Sequence, residues 1–176
     1  SVCVMYGGAN TSPFGGPSLN QTWELNGNTW TQRATATTPG GRCYHGAAFD
    51  MLRGRTVIYG GDADNTFPIA SNQTWEYDGT NWMLITTANN PGPLEHPGMC
   101  YDLQSQAVIL FGGIDPQFGG NDNTWSYDGT NWTQLSITGP KPSARTLCRL
   151  VYDATRGVCI LYGGLDPMTG TPFDDT

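Results

Sequence analysis

Val57-Ile58-Tyr59-Gly60-Gly61 is one of four copies of a short phrase in which an apolar run ends in an aromatic residue and two glycines. The four endings are Tyr6-Gly7-Gly8, Tyr59-Gly60-Gly61, Phe111-Gly112-Gly113 and Tyr162-Gly163-Gly164. Their second glycines stand at positions 8, 61, 113 and 164, so the spacings are 53, 52 and 51 residues. Self-similarity at a period of about 50 residues indicates a repeat architecture, in which each copy is one small unit of secondary structure.

The residues before each Gly-Gly pair also repeat. A Pro/Gly-rich lead-in runs into a segment of strand character that ends in aspartate, and these segments are Arg42 to Asp50, Leu94 to Asp102 and Arg145 to Asp153. A tight turn and the apolar strand follow, and the aspartate always stands ten residues before the first glycine (50 and 60, 102 and 112, 153 and 163). A slip of one residue would turn the buried face outward, so this constant spacing predicts an antiparallel hairpin of fixed register.

A second hairpin follows each Gly-Gly pair. After a segment of variable length, two tryptophans come seven residues apart with Asn-Gly or Asp-Gly between them, and the pairs are Trp23 and Trp30, Trp75 and Trp82, and Trp125 and Trp132. Asn-Gly and Asp-Gly between strand-like runs predict a tight turn, because both residues tolerate positive φ. Each unit is therefore predicted to contain four antiparallel strands, arranged as two hairpins joined by a long loop.

The glycines and aromatic residues of the repeat have a structural interpretation. A strand that leaves a crowded centre needs residues without a Cβ, both for close packing and for unusual dihedral angles. The regularly placed Trp and Tyr side chains are predicted to form the core between neighbouring sheets. A sugar-stacking role for some of them is the alternative.

Together these motifs resemble the kelch repeat, in which an apolar strand ending in Gly-Gly is followed by a variable loop, a Tyr and a Trp. The Tyr is present as Tyr77 and Tyr127, whereas Leu25 departs from it, and the Trp residues are Trp30, Trp82 and Trp132. The resemblance covers essentially the whole chain. The recurrent Asp-Gly-Thr-Asn-Trp motif is similar to that of bacterial kelch-type repeats. It implies an all-β, kelch-type β-propeller with one four-stranded antiparallel blade per repeat.

The repeat defines a single propeller segment over residues 1–176, with units at approximately 1–38, 39–90, 91–139 and 140–176, the first and last of them partial. Propellers have about four to eight blades, and about three repeats do not close a ring. We therefore expect a partial or open propeller. It either belongs to a larger one of six or seven blades or self-associates to complete one, because open strand edges favour association.

Charge excludes two classes of partner. Lys and Arg number 8 against 15 acidic residues, which gives a net charge of -7, and Lys141 is the only lysine. Binding to nucleic acid or to an anionic membrane surface needs clustered basic residues. No run approaches the roughly 20 apolar residues of a membrane span. We expect neither a nucleic-acid partner nor membrane insertion.

The cysteines leave the compartment open. There are five, none in CxxC spacing, and all lie in predicted strands: Cys3, Cys43, Cys100, Cys148 and Cys159. They are interpreted as small buried apolar side chains, with disulfide or metal roles as the alternatives. Free thiols favour a reducing compartment, whereas the Thr/Asn/Gly/Trp-rich, lysine-poor composition favours an extracellular or periplasmic one.

The lead-ins and the loops after Gly-Gly are expected on one face of the propeller, where kelch proteins commonly bind. The candidate binding residues are Arg42, Tyr44, His45, Glu95, His96 and Arg145. Arginines around a channel mouth can hold a carboxylate by bidentate hydrogen bonds, or they can be repeat residues that bond the backbone or acids of the adjoining blade. The histidines are candidates for an acid–base pair or metal ligands, or they are structural or surface residues.

The loops supply acidic residues, namely Asp62, Asp64, Asp115, Asp122 and Asp166. None of them belongs to a D-x-[DN]-x-[DN]-G calcium motif, so they are interpreted as solvated loop acids. No GxSxG motif occurs, and nothing identifies the Tyr-Cys and His set of the copper-radical oxidases that share the kelch fold. We assign no catalytic residue, metal or cofactor.

The resemblance therefore predicts a non-enzymatic binding or scaffold module that presents variable loops to a protein or glycan. The alternative is a propeller enzyme that acts on a small carbohydrate, similar to kelch-fold sugar mutarotases or epimerases. In that case His45 or Glu95 would be the acid–base group, and Arg42 and Arg145 would hold an anionic group. Fold alone does not separate these functions, because activity resides in the site.

Overall fold

A computed structural model describes residues 2–9, 17–63 and 70–176. Across these residues the chain is all-β and forms antiparallel sheets without any helix. Consequently no described segment is a helix that could cross a membrane. In chain order the strands are β1 (Val2–Tyr6), β2 (Thr22–Asn26), β3 (Thr29–Arg33), β4 (Arg42–Cys43), β5 (Gly46–Asp50), β6 (Arg55–Tyr59), β7 (Asp62–Ala63), β8 (Thr74–Tyr77), β9 (Trp82–Ile85), β10 (Gly98–Asp102), β11 (Ala107–Phe111), β12 (Ile114–Asp115), β13 (Gly119–Gly120), β14 (Thr124–Tyr127), β15 (Trp132–Gln134), β16 (Arg149–Asp153) and β17 (Val158–Tyr162).

Four larger sheets follow one another along the chain. Sheet I has the order β1-β2-β3, sheet II β5-β6-β8-β9, sheet III β10-β11-β14-β15 and sheet IV β16-β17. Two short pairs lie outside these sheets: β4 precedes sheet II and pairs with β7 in the loop between β6 and β8, and β12-β13 form in the loop between β11 and β14. Sheets II and III confirm the predicted unit of two antiparallel hairpins joined by a long loop. Strand β10 contacts both β5 and β16, so the first strands of sheets II, III and IV are neighbours.

The predicted register is confirmed in three sheets. The first hairpin of each pairs the same positions, with Asp50 opposite Arg55, Asp102 opposite Ala107 and Asp153 opposite Val158. Each aspartate also accepts hydrogen bonds from backbone N–H groups of the turn that follows, such as Arg53 N at 3.0 Å from Asp50 Oδ1. The repeated Asp therefore shapes the turn and fixes the register.

The three predicted first strands begin too early, because β5, β10 and β16 start at Gly46, Gly98 and Arg149 and not at Arg42, Leu94 and Arg145. The segment Arg42 to Asp50 is divided into β4 and β5, and β4 pairs with β7 instead of continuing into sheet II. The residue at the break is Tyr44, with a φ of 61°. Its counterparts in the next two lead-ins, His96 and Leu147, have φ values of 55° and 58°. A strand cannot continue through this left-handed conformation, so each lead-in turns before its sheet begins.

The second hairpins turn where the Asn-Gly and Asp-Gly motifs predicted. The glycines at these turns, Gly27, Gly79 and Gly129, have φ values of 59°, 93° and 98°. The preceding Asn or Asp does not have a positive φ. Instead, Asp78 Oδ1 accepts the N–H groups of Thr80 and Asn81 at 2.8 Å each, so the acid acts as an acceptor that closes the loop.

The interpretation of the Gly-Gly pairs is confirmed. Both glycines of each pair have positive φ, from 61° at Gly163 to 106° at Gly8. A Cβ added at Gly112 would lie 2.6 Å from the carbonyl oxygen of Arg145, and one added at Gly60 would overlap that of Leu94. The first glycine of each of the first three pairs is thus pressed against the lead-in of the next unit.

Tryptophan residues join successive sheets. Trp82 Nε1 donates to Thr22 Oγ1 in sheet I at 2.9 Å, and Trp132 Nε1 donates to Thr74 Oγ1 in sheet II at 2.8 Å. Both indoles are buried, as predicted for the core. Their counterpart Trp30 is 47% exposed, which corrects the prediction for that residue. No sheet of the described chain covers its face.

A tyrosine makes the second bond of each junction. Tyr77 OH donates to Glu24 Oε1 at 2.9 Å, and Tyr127 OH donates to Glu76 Oε1 at 2.8 Å. The main apolar core fills the space between sheets II and III, and its buried members are Val57, Tyr59, Leu94, Met99, Tyr101, Val108, Leu110, Tyr127 and Trp132.

The cysteine predictions are confirmed in part. Cys43, Cys100 and Cys148 are buried, but Cys3 is exposed at the edge of sheet I and Cys159 is half-buried. Cys148 lies just before β16 and not in a strand. Among the described residues all five are free thiols.

Candidate functional site

The lead-ins and the Gly-Gly ends meet at one end of the sheets. In the first three pairs the second glycine donates its N–H to a carbonyl of the next lead-in: Gly8 to Arg42 at 2.8 Å, Gly61 to Leu94 at 2.8 Å and Gly113 to Arg145 at 2.9 Å. This repeated bond brings the predicted site residues to the same end as the variable loops.

Arg42 and Arg145 are buried, with exposed fractions of 1%. Each donates to the carbonyl oxygen of the first glycine of its own unit, Arg42 to Gly60 at 2.6 Å and Arg145 to Gly163 at 3.1 Å. Arg145 also forms a bidentate ion pair with Asp175, at 2.6 and 2.9 Å. These bonds favour the interpretation of the two arginines as repeat residues that hold the Gly-Gly end in place.

Three equivalent residues mark the turn within each lead-in. Tyr44, His96 and Leu147 each stand six residues before the aspartate of their unit and share the positive φ described above. The Tyr44 and His96 rings lie 4.3 Å apart, and His96 N donates to the carbonyl of Tyr44 at 2.6 Å. Strained backbone at a non-glycine residue is typical of functional sites. Leu147 was missed by sequence reasoning, although its distance to Asp153 marked the position.

Glu95 is buried near a second carboxylate, that of Asp62. Its exposed fraction is 5%, the same as that of Asp62. Burial raises the pKa of Glu95, and the nearby Asp62 carboxylate raises it further. Glu95 Oε1 is buried without a hydrogen-bond partner in the described part of the chain. The neighbouring Cys43 thiol also has a raised pKa, caused mainly by burial.

Both histidines are held neutral. Burial lowers the pKa of His45 to about 4, with a smaller contribution from the positive charge of Arg42. Burial lowers the pKa of His96 to about 4 as well, assisted by Arg149. His45 is adjacent to the Tyr6 ring at a centroid distance of 6.1 Å, whereas His96 stacks on Tyr44. The structure therefore does not bring the two imidazoles together as a pair.

The low pKa of His45 predicts a loss of stability in mild acid. Its unfolded-state pKa is about 6.5, so between that value and about 4 the unfolded chain binds the additional proton. The free energy of unfolding should fall by about 2 kcal/mol from this group between pH 6.5 and 4.5. A His45→Gln variant, compared with the parent by urea unfolding at both pH values, should show a correspondingly flatter dependence. Identical pH dependence in the two proteins would contradict the assignment.

The loop acids are less solvated than predicted. Asp62 is buried, and Asp122 pairs with Lys141 at 2.8 Å. Asp115 Oδ1 accepts the N–H groups of Gln117 and Phe118 at 2.8 and 3.3 Å. Asp64 lies outside the described residues.

The loop after sheet IV's Gly-Gly pair is built in the same way. Asp166 Oδ1 accepts the N–H groups of Met168 and Thr169 at 2.8 and 3.0 Å, and these bonds lower the pKa of Asp166. Both Asp-Pro turns thus hold an apolar side chain at the tip: Phe118 is 86% exposed and Met168 is 92% exposed.

The two loops are neighbours. Pro167 packs so closely against Gly120 that a Cβ at Gly120 would overlap the proline ring. Phe118 and Met168 are therefore presented on adjoining, internally hydrogen-bonded turns. Sequence reasoning located the variable loops but not these two side chains.

Two clefts lie beside the loops. The larger, of about 490 Å³, is lined by Thr124, Gln134, Ile137 and Lys141 among others. Thr124 is the counterpart of Thr22 and Thr74, which are each covered by a tryptophan of the next sheet. The smaller cleft, of about 210 Å³, runs past Phe118 and Asp115. None of the six predicted site residues lines either cleft.

Within the described ranges no three His, Cys, Asp or Glu side chains are placed to hold a metal ion. No known family model and no curated protein matches this chain.

Proposed function

We propose that the four larger sheets are consecutive blades of a kelch-type β-propeller. Three observations support this architecture: the identical register of the first hairpins, the Trp-to-Thr and Tyr-to-Glu bonds at successive junctions, and the neighbouring positions of the first strands. The Gly-Gly motif and the four-strand unit are those of the kelch repeat that the sequence resembles.

We further propose that the protein is a non-enzymatic binding module, and that the surface formed by Phe118 and Met168 is its contact site. The observation that carries this proposal is the exposure of these two large apolar side chains on adjoining, hydrogen-bonded turns. Because the turns are already closed by hydrogen bonds, binding through these side chains would order little additional backbone. Phe118 alone would suit a sugar ring, but the flexible thioether of Met168 beside it favours an apolar pocket on a protein.

The charge around Phe118 and Met168 indicates what kind of partner surface would fit them. Asp115 and Asp166 belong to these two loops, and the chain carries a net charge of -7. An acidic rim around apolar anchors favours a partner with an apolar pocket bordered by Lys or Arg side chains.

One observation favours the carbohydrate-enzyme alternative. Glu95 has a raised pKa beside Asp62, and perturbed carboxyl groups occur often at catalytic sites. Against it, the arginines expected to hold an anionic sugar are buried and bonded to the Gly-Gly ends. The binding module is therefore the better supported function.

Peptide display tests the proposal without a known partner. Peptides selected from a random library on the immobilised chain would be measured against the parent, a Phe118→Ala/Met168→Ala double variant and a Met51→Ala/Leu52→Ala control. Met51 and Leu52 are equally apolar and are 59% and 66% exposed, but they occupy the turn at the opposite end of sheet II. Loss of two contact anchors should weaken binding about 10- to 100-fold, whereas the control should bind as the parent does.

Two outcomes would contradict the proposal. In the first, the selected peptides bind the loop variant as tightly as the parent or lose affinity for the control instead. In the second, the protein accelerates anomer interconversion of monosaccharides, followed by NMR, and a Glu95→Gln variant does not. If the parent binds a glycan on an array and the loop variant does not, Phe118 and Met168 would still be the contact site and the ligand would be a sugar.

A further inference from the structure

The sulfur atoms of Cys100 and Cys159 lie 3.0 Å apart. Cys100 is on β10 of sheet III and Cys159 is on β17 of sheet IV, so the contact crosses the junction between the two sheets. Sheet IV consists of two strands, and its described contacts with sheet III are made by β16 and β17 against β10. The thiol pair is therefore placed where a covalent bond would join one sheet to its neighbour.

The preceding junction shows what normally occupies these positions. Cys100 stands two residues before the aspartate of its unit, as Ala48 does in sheet II, and Cys159 stands four residues before the first glycine, as Val108 does in sheet III. Ala48 and Val108 are both part of the apolar contacts between sheets II and III. The same cross-sheet contact is thus apolar at one junction and a thiol pair at the next.

The two thiols differ in accessibility and in pKa, as expected when one thiol reacts first and the other second. Cys159 is half-buried, whereas Cys100 is buried. The hydrogen bond from Cys100 lowers the pKa of Cys159, and the same contact, together with burial, raises the pKa of Cys100. The more accessible sulfur is also the more acidic one, which is the character of an attacking thiol.

We propose that Cys100 and Cys159 are a redox pair that forms a reversible disulfide between sheets III and IV in the presence of a small disulfide oxidant. The Cys159 thiolate attacks one sulfur of the oxidant, forms a mixed disulfide and releases the first small thiol. The Cys100 thiolate then attacks the sulfur of Cys159, closes the protein disulfide and releases the second. The two protein thiols lose two electrons to the oxidant, and their two protons end on the two small thiols.

The bond would connect positions 59 residues apart and restrict the unfolded chain. A loop of this length should raise the melting temperature of the oxidised form by about 5–10 °C. It would also attach sheet IV covalently to sheet III. The Val151, Val158 and Tyr162 side chains of sheet IV are exposed.

The test equilibrates the native protein with glutathione buffers from fully reduced to fully oxidised. The sample is quenched in acid and denatured so that every thiol is accessible, and intact mass, alkylation of free thiols and a non-reducing digest are then measured. The expected result is a loss of two hydrogens, three alkylatable thiols instead of five, and one linked peptide pair containing Cys100 and Cys159. Cys100→Ala and Cys159→Val, which copy the residues of the preceding junction, should each abolish the link and the shift in melting temperature while preserving the packing. Cys3→Ser removes an exposed thiol remote from the pair and should leave both unchanged.

Three results would overturn the proposal. The first is five alkylatable thiols at every buffer ratio in protein shown to be folded by circular dichroism. The second is a stable glutathione adduct on Cys159, because Cys100 would then not resolve it. The third is a link that involves Cys3, Cys43 or Cys148.

Discussion

Replacing Gly60 with alanine is expected to lower the free energy of unfolding by about 3 kcal/mol or more, enough to unfold a marginal domain. Gly60 has a φ of 72°, which an alanine adopts at a penalty of about 1–2 kcal/mol. Its added Cβ would also overlap the carbonyl oxygen of Leu94, which is backbone and cannot rotate away. The clash falls on the contact that joins the end of sheet II to the next lead-in, so relief would require the sheets to separate.

Gly79→Ala is the matched control. Gly79 also has a positive φ, of 93°, but a Cβ there meets no atom of the described chain within 4 Å. The alanine variant should therefore lose stability only through backbone strain, by about 1–2 kcal/mol. Urea unfolding followed by tryptophan fluorescence measures both variants. Equal losses would show that the close approach at Gly60 contributes nothing, and that the repeat keeps Gly-Gly for its dihedral angles alone.

The sequence was sufficient for the strands and their register, for a reason visible at Asp50 and Gly60. A hairpin allows only one pairing once its turn and its end are fixed. The constant interval of ten residues between the aspartate and the first glycine therefore determines the register. It was not sufficient for the break at Tyr44. Aromatic residues rarely adopt positive φ, and the conformation is imposed by the pairing of β4 with β7, which no local pattern records.

The site was only partly foreseeable. Residue type identified Arg42 and Arg145 as candidates for holding an anion, but the direction of a guanidinium depends on which carbonyl is within reach. Here the carbonyls of Gly60 and Gly163 accept it. The exposed tips could have been noticed, because Asp115-Pro116 recurs as Asp166-Pro167 at the same distance from Gly-Gly. An apolar residue follows at each tip, but the two residues form one surface only because the two loops are adjacent in space. The sequence does not show that adjacency.

Glu76→Ala should have the second large effect, about 3 kcal/mol, because it removes the acceptor shared by two sheets. Glu76 is buried, and its Oε1 accepts Tyr127 OH at 2.8 Å and pairs with Arg53 at 2.6 Å. Without the carboxylate, the tyrosine hydroxyl of sheet III has lost its partner and Arg53 retains only Asp50, at 2.7 Å. Glu76→Gln keeps an acceptor and should lose about half as much.

Ser126 supplies the internal comparison for this junction. It holds in sheet III the position that Glu76 holds in sheet II, and its hydroxyl makes only a long contact of 3.5 Å to the Thr133 carbonyl. Ser126→Ala should change the stability by less than about 0.5 kcal/mol. A double-mutant cycle of Glu76→Ala with Tyr127→Phe then isolates the bond between the sheets, and a coupling energy of about 1–2 kcal/mol is expected. Strict additivity would mean that the Tyr127-to-Glu76 bond adds nothing to the stability of this junction, which apolar packing and the bond from Trp132 to Thr74 would then hold. The repeated Tyr-to-Glu bond would then determine how neighbouring units are oriented without adding to their stability.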